Sequence, residues 1–302
     1  MTQALTPDPS MIGGYDKAPL VRLPDPEALF SARAARLDYL AASSANLAPY
    51  LRFLAALTRA QAELAAELPE APKPAADWEA LARSSRMPQI DRHHLKARMP
   101  EVLALFLAKA ARIDMPEAAR FALDAVLAAS DDERDWLFTN VLSDKIPQDS
   151  VAPHLFVAAA VQVHAAIAAA ALNPEAPVPI RTGICPACGG LPSASIVVED
   201  KGAEGTRYAS CSCCQTLWNE VRIKCLCCGE TGKISYRSVE NGDAVIKAEL
   251  CGDCDSWTKI LYQNKNASLE QLADDVASLG LDLKMRDTEW KRGGFNPFLI
   301  GA

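Results

Sequence analysis

At 302 residues, half of them hydrophobic, the chain is long enough to bury a sizeable core and is expected to form two domains. Its net charge of -7 argues against a nucleic-acid partner, which asks for a basic face. Ten cysteines, and an N-terminus without a basic stretch followed by an apolar run, point to metal rather than disulfides and to the cytoplasm.

Residues 1–26 contain Pro7, Pro9, Gly13, Gly14, Pro19, Pro24 and Pro26 and read as an extended N-terminal arm. Leu20, Val21 and Leu23 are spaced to lie along a groove. From 27 to 172 the apolar period is helical. Helices are expected over about 27–42, 49–68 and 77–83, with Pro49 at a start and Pro69 at a stop. Further helices fall at about 100–112 and 116–129, from the capping box Ser130-Asp-Asp-Glu133 to about 142, and at about 153–172. Residues 87–98 are ambiguous; they hold His93 and His94, which are adjacent and face different ways. The most apolar run, Leu155 to Leu172, is mostly alanine with Gln162 and His164 midway, which favours a buried helix over a membrane span. His154 and His164 lie about 15 Å apart along that helix and cannot share a metal. The helical part carries no GxSxG, phosphate loop, HExxH or kinase signature, so no enzymatic role is expected.

Residues 173–182 are a proline-rich linker, after which the period changes to two. Strands are expected at about 193–198, 206–210, 216–223, 233–238, 245–250 and 256–262, with hairpin turns at 199–202 and 240–242. All ten cysteines lie between 185 and 254, and eight of them form four CxxC pairs. A shift of forty positions lays Cys185, Cys188, Cys211 and Cys214 onto Cys225, Cys228, Cys251 and Cys254. Gly189 lands on Gly229 and Arg207 on Lys247. Such a repeat is one small unit used twice. The expected fold class is α+β: an all-α N-terminal domain, two tandem rubredoxin-like or zinc-ribbon β units at 183–219 and 220–266, and a C-terminal helix and tail at 267–302. Ser268-Leu-Glu-Gln271 reads as a capping box for that helix and Gly280 as its C-cap. The apolar tail from Gly293 to Ile300 is expected to pack back onto the fold.

A CxxC turn points two thiolates at one ion, and two such knuckles close a tetrahedral four-sulfur shell with no position for substrate. Site 1 is expected to be Cys185, Cys188, Cys211 and Cys214, and site 2 Cys225, Cys228, Cys251 and Cys254. Cross-braced pairing of the first and third knuckles is the alternative. Zinc and iron both suit this donor set. Cys213 and Cys227 are left over, either small turn residues or spare thiols. From Arg181 to Lys265, ten basic and ten acidic side chains balance, so two thiolate-bound ions would make this part acidic. That suits a protein partner better than nucleic acid.

The run from Arg207 to Cys225 (RYASCSCCQTLWNEVRIKC) resembles the formate dehydrogenase accessory protein (FdhE-type) family. So do Lys247-Ala-Glu-Leu-Cys-Gly-Asp-Cys254, Lys259-Ile-Leu-Tyr262 and Asn296-Pro-Phe-Leu299 and, more loosely, Pro49-Tyr-Leu-Arg-Phe53. The resemblance implies a cytoplasmic, chaperone-like assembly factor. Its partner would be the catalytic subunit of a respiratory formate dehydrogenase, bound before twin-arginine export. It also implies rubredoxin-like centres on the eight CxxC cysteines; the family pattern does not ask for cysteine at 213 or 227. A rubredoxin-like iron carrier or redox sensor is the alternative function, a nucleic-acid-binding zinc ribbon is a third, and homo-oligomerisation is left open.

Overall fold

The structure, a computed structural model, describes residues 18–199, 204–239 and 244–299. The hairpin turns expected at 199–202 and 240–242 lie largely outside these, as do most of the arm, the last tail residues and the side chains of His93 and His94. A short strand, β1 (Val21–Arg22), leads into seven helices: α1 (Pro26–Ser43), α2 (Ala48–Glu67), α3 (Ala76–Ser85), α4 (Arg92–Ala110), α5 (Glu117–Ala128), α6 (Asp131–Leu142) and α7 (Val151–Ala170). A single 3-10 turn, Gln148–Ser150, precedes α7. Asp25 caps α1 by accepting from the Ala28 amide at 3.2 Å. Ser130 and Glu133 make both bonds of the capping box that opens α6.

The helix α7 is the axle of the bundle. Its alanines let α2, α4, α5 and α6 pack around it, and it is buried on nearly every face. It is the one described helix long and apolar enough to cross a membrane, and most of it is inside the protein. Gln162 on it is satisfied twice, by Gln61 Nε2 at 3.2 Å and by the Ser212 carbonyl at 2.8 Å. Helix α4 begins earlier than the expected start at Pro100, which lies in its interior. Leu95, Met99, Val102, Leu103 and Phe106 form one buried stripe. Burying Leu95 and Met99 outweighs the hydrogen bond that the proline removes.

The cysteine-rich half has β2 (Pro192–Val197), β3 (Arg207–Cys211), β4 (Leu217–Glu220), β5 (Ile234–Arg237), β6 (Ile246–Cys251) and β7 (Ser256–Tyr262). Each trio, β2–β3–β4 and β5–β6–β7, is an antiparallel meander. The trios are not separate. β2 runs parallel to β7, with Ser195 opposite Ile260, and joins them into one mixed sheet of order β1-β4-β3-β2-β7-β6-β5. The arm supplies β1, with Val21 opposite Trp218, and so covers the edge of β4.

Two short helices follow, α8 (Gln271–Ala277) and α9 (Leu279–Arg286), then a two-residue strand, β8 (Lys291–Arg292), beside the start of β7. The expected cap and stop need correction. Glu270, not Ser268, caps α8, accepting from the Leu272 and Ala273 amides. Ser268 is taken up by Asn266 and Arg36. Gly280 lies inside α9 rather than ending a helix. The tail packs back as expected: Phe298 is buried, and its carbonyl accepts from Tyr50 Oη at 2.7 Å.

Candidate metal centres

Every CxxC knuckle is a tight turn closed by the backbone. Cys185 N donates to Gly190 O (3.0 Å) and Gly189 N to Cys185 O (2.8 Å); forty residues on, Cys225 N donates to Glu230 O (2.8 Å) and Gly229 N to Cys225 O (3.1 Å). The residue after the second cysteine is left-handed in all four: Gly189 (φ 77°), Gln215 (φ 63°), Gly229 (φ 87°) and Asp255 (φ 53°). Glycine suits two of these positions by its freedom at positive φ. Gln215 is instead held by its side chain, which donates to the Ser212 and Cys213 carbonyls and accepts from Arg33.

The strands then bring the knuckles together in sequence. Cys185 Sγ lies 3.7 Å from Cys214 Sγ and Cys188 Sγ 3.4 Å from Cys211 Sγ. Cys225 Sγ lies 3.6 Å from Cys254 Sγ and Cys228 Sγ 3.7 Å from Cys251 Sγ. Within each foursome all sulfurs are within 4.8 Å of one another. A tetrahedron with metal–sulfur bonds of about 2.3 Å has edges of about 3.8 Å. Both clusters are therefore geometrically compatible with a bound zinc or iron ion. These separations are far too long for disulfides. Backbone amides also turn toward the sulfurs: Cys213 N and Cys214 N each lie 3.4 Å from Cys211 Sγ, and Cys227 N lies 3.3 Å from Cys225 Sγ. Such donors stabilise thiolate charge.

The first cluster is inside the main core. Cys185, Cys188, Cys211 and Cys214 are fully buried and share a hydrophobic cluster with the bundle helices. Three helices hold its knuckles. Arg92 of α4 donates to Cys188 O at 2.7 Å, and the Ile90 amide just before α4 donates to Ala187 O at 2.8 Å. Gln162 of α7 and Arg33 of α1 hold the 211–215 turn through Ser212 O and Gln215 Oε1. Arg92 also answers the charge of the sulfurs. Burial opposes its charge, but Cys188, Cys213 and Asp144 outweigh that and raise its pKa. Asp144 is pushed up to about 6, chiefly by burial, while donors from Leu191 N and Ser212 Oγ hold its carboxylate in place. Burial pushes the Cys185 thiol up, whereas hydrogen bonds from its neighbours hold Cys188 well below the usual thiol range.

The second cluster sits near the surface: Cys225 and Cys251 are buried, Cys254 is half-buried and Cys228 is exposed. No bundle helix holds its knuckles through a described hydrogen bond; strand partners do. Gly252 N donates to Lys233 O (2.9 Å) and Lys291 N to Asp255 O (2.8 Å).

Of the residues left over, Cys213 is buried beside the first cluster and Cys227 is half-buried beside the second. Neither cluster includes His154 or His164. His154 is spent on Ser150 O and Asn140. Trp218 lies in the main core at the junction with the bundle; Trp257 packs on Leu281 and Met285 under the Arg292 guanidinium. Nothing in the sequence marks Arg92, because it falls in the ambiguous 87–98 segment and its partners, the Leu142 carbonyl, Asp144 and the Cys188 carbonyl, all lie far along the chain.

Comparison with known proteins agrees along the whole length. Models of the FdhE family match at residues 18–182 (N-terminal), 184–222 (central domain) and 223–299 (C-terminal domain). The chain belongs to the FdhE family. An FdhE homolog from Rhizobium meliloti (strain 1021) is 54% identical over 299 residues, covering 98% of this chain and 97% of the relative. The FdhE of Escherichia coli (strain K12) is 33% identical over 301 residues, covering 94% and 92%. The crystal structure of the FdhE protein from Pseudomonas aeruginosa superposes with a TM-score of 0.80 at 31% identity, covering 94% of this chain and 99% of that one. FdhE proteins are non-catalytic accessory factors of formate dehydrogenase maturation, the coarse function that the resemblance implies.

Proposed function

We propose that this protein is a cytoplasmic assembly factor that binds the catalytic subunit of a respiratory formate dehydrogenase before its twin-arginine export. Its eight CxxC cysteines would hold two metal ions in rubredoxin-like or zinc-ribbon units. The observation that carries the reading is the pair of closed four-sulfur clusters in a chain that matches the FdhE family models over residues 18–299. A closed four-cysteine shell leaves no coordination position for substrate, so a bound ion would cross-link the knuckles rather than turn over a reactant.

The junction between bundle and sheet supports a protein client. A cleft of ≈ 690 Å³ has apolar walls from Leu20, Val178, Ile180 and Trp218 and cations Arg83, Arg86, Arg181 and Lys224 around it. Its carboxylate, Glu220, is already paired with Lys224 at 3.0 Å. In a chain of net charge -7, this local excess of positive charge suits a client segment that carries apolar and acidic side chains.

Co-purification tests the reading. The tagged chain is expected to capture the formate dehydrogenase catalytic subunit from cells grown anaerobically, and Arg86→Glu with Arg181→Glu to weaken that capture. No association under either aerobic or anaerobic growth refutes the assembly role. Metal analysis with visible spectroscopy after anaerobic purification separates iron from zinc; a redox carrier requires iron that cycles.

A further inference from the structure

The two clusters share a spacing but not their surroundings. The sulfurs of the first are sealed in the core among α1, α4 and α7. An ion there could leave only if that core opened, which costs a large part of the global stability. The second presents Cys228 to solvent, and a cavity of ≈ 550 Å³ opens directly on it. Cys227 lines the same cavity, opposite Gly293. Its sulfur is turned toward Gly293 O at 3.7 Å. Glycine at 293 makes room for it, since a Cβ there would collide with the Cys227 sulfur. Cys227 is also tied to the cluster, its amide lying 3.3 Å from Cys225 Sγ. A fifth thiol thus lines the same cavity as an exposed ligand position. Its counterpart Cys213 is buried beside the first cluster, so a fifth thiol alone does not distinguish the two; the cavity and the exposed Cys228 do.

We propose that the second centre exchanges soft, thiophilic metal ions through this cavity, with Cys227 as the transfer thiol, while the first centre keeps its ion as a structural pin. The step is a ligand exchange. The metal–sulfur bond to Cys228 breaks and one to Cys227 forms. Cys227 gives its proton to water, and the Cys228 sulfur takes one up. No electrons change hands. The proposal rests on the metal-binding reading of the eight cysteines.

The full chain loaded with two equivalents of zinc is mixed with a chromogenic chelator, and release is followed in time. One equivalent is expected to leave at least an order of magnitude faster than the other. N-ethylmaleimide added during the fast phase, with peptide mapping by mass spectrometry, is expected to mark Cys225, Cys228, Cys251 and Cys254 and to spare Cys185, Cys188, Cys211 and Cys214. Cys227→Ser is expected to retain both ions and to slow the fast phase several-fold. Release of both equivalents in one phase, or early labelling of the first foursome, overturns the proposal. An unchanged fast phase in Cys227→Ser overturns the role given to that thiol. A chain that takes up no zinc overturns the metal-binding reading itself, a result distinct from two ions released alike.

Discussion

His164 faces α4 from the centre of the bundle, and burial, with Arg98 nearby, pushes its pKa down to about 4. Its Nε2 has no hydrogen-bond partner, so the fold accommodates the neutral ring. Between pH 4 and 6.5 the unfolded chain would take up a proton that the folded chain refuses. The stability from the neutral form is therefore whole above the unfolded pKa and is lost as the pH falls, by up to about 1.4 kcal/mol per unit. His164→Gln should flatten this part of the slope, read as unfolding free energy at pH 7.5 and 5.5 against the parent; identical slopes would show that His164 does not contribute. Lys259 is another buried ionisable side chain that composition could not place. Its Nζ sits inside the sheet-to-helix packing, 3.0 Å from Asp275 Oδ1, 2.6 Å from Asp275 O and against Asp282, with Arg292 closing the network. Burial lowers its pKa to about 8. Replacing it with methionine strands two carboxylates against one guanidinium, and a loss of about 3–5 kcal/mol is expected. Denaturant melts with proteolysis of the tail beyond Arg292 would test this; a wild-type melt would mean that the network carries no stability. In sequence Lys259 read only as part of a family motif, because its partners lie from sixteen residues onward and a strand lysine usually faces water.

At the scale of single elements, periodicity and capping residues located most helices and all six main strands to within a few residues, because those signals are local. The failures are places where a distant contact overrode a local preference. Helix α4 runs through Pro100 because its stripe is buried against α7. Glu270 displaces Ser268 as a cap because Arg36 and Asn266 claim the serine. The knuckles divide the same way. Glycine at 189 and 229 is the residue type that a left-handed turn favours, whereas Gln215 and Asp255 adopt one without any such mark. Their side chains lead to opposite expectations on removal. Gln215→Gly relieves an αL strain of about 1–2 kcal/mol but takes a buried acceptor from Arg33, which keeps Glu270, and a donor from the carbonyls of residues 212 and 213, so the melting temperature should fall. Asp255 is exposed, so Asp255→Gly should leave the melting temperature unchanged or raise it. Thermal melts of the two variants moving in the same direction would contradict this account.

Across the whole molecule, the forty-residue repeat made both cysteine foursomes legible in the sequence, since ligand spacing is a local property of the turns. What it could not reveal is that one copy has its four sulfurs inside the bundle core, whereas the knuckles of the other reach that core only through Leu226. The repeat-equivalent trios meet head to tail, β2 beside β7, and only the first has its cluster turned toward α1, α4 and α7. Bundle and sheet thus share one core through Cys185, Cys188, Cys211 and Cys214, with Arg92, Gln162 and Arg33 as the tethers. Removing a sulfur from each cluster should therefore give different results. Cys188→Ala opens a defect where helices and sheet meet, and should lower the melting of both together. Cys228→Ala disturbs an exposed turn held by strand partners, and should leave the helical transition near that of the parent while the sheet loosens. Circular dichroism at the helix band, followed alongside Trp218 and Trp257 fluorescence, separates the two. If Cys228→Ala lowered the helical transition as far as Cys188→Ala, the two centres would be energetically equivalent, and the first could not be the element that joins the bundle to the sheet.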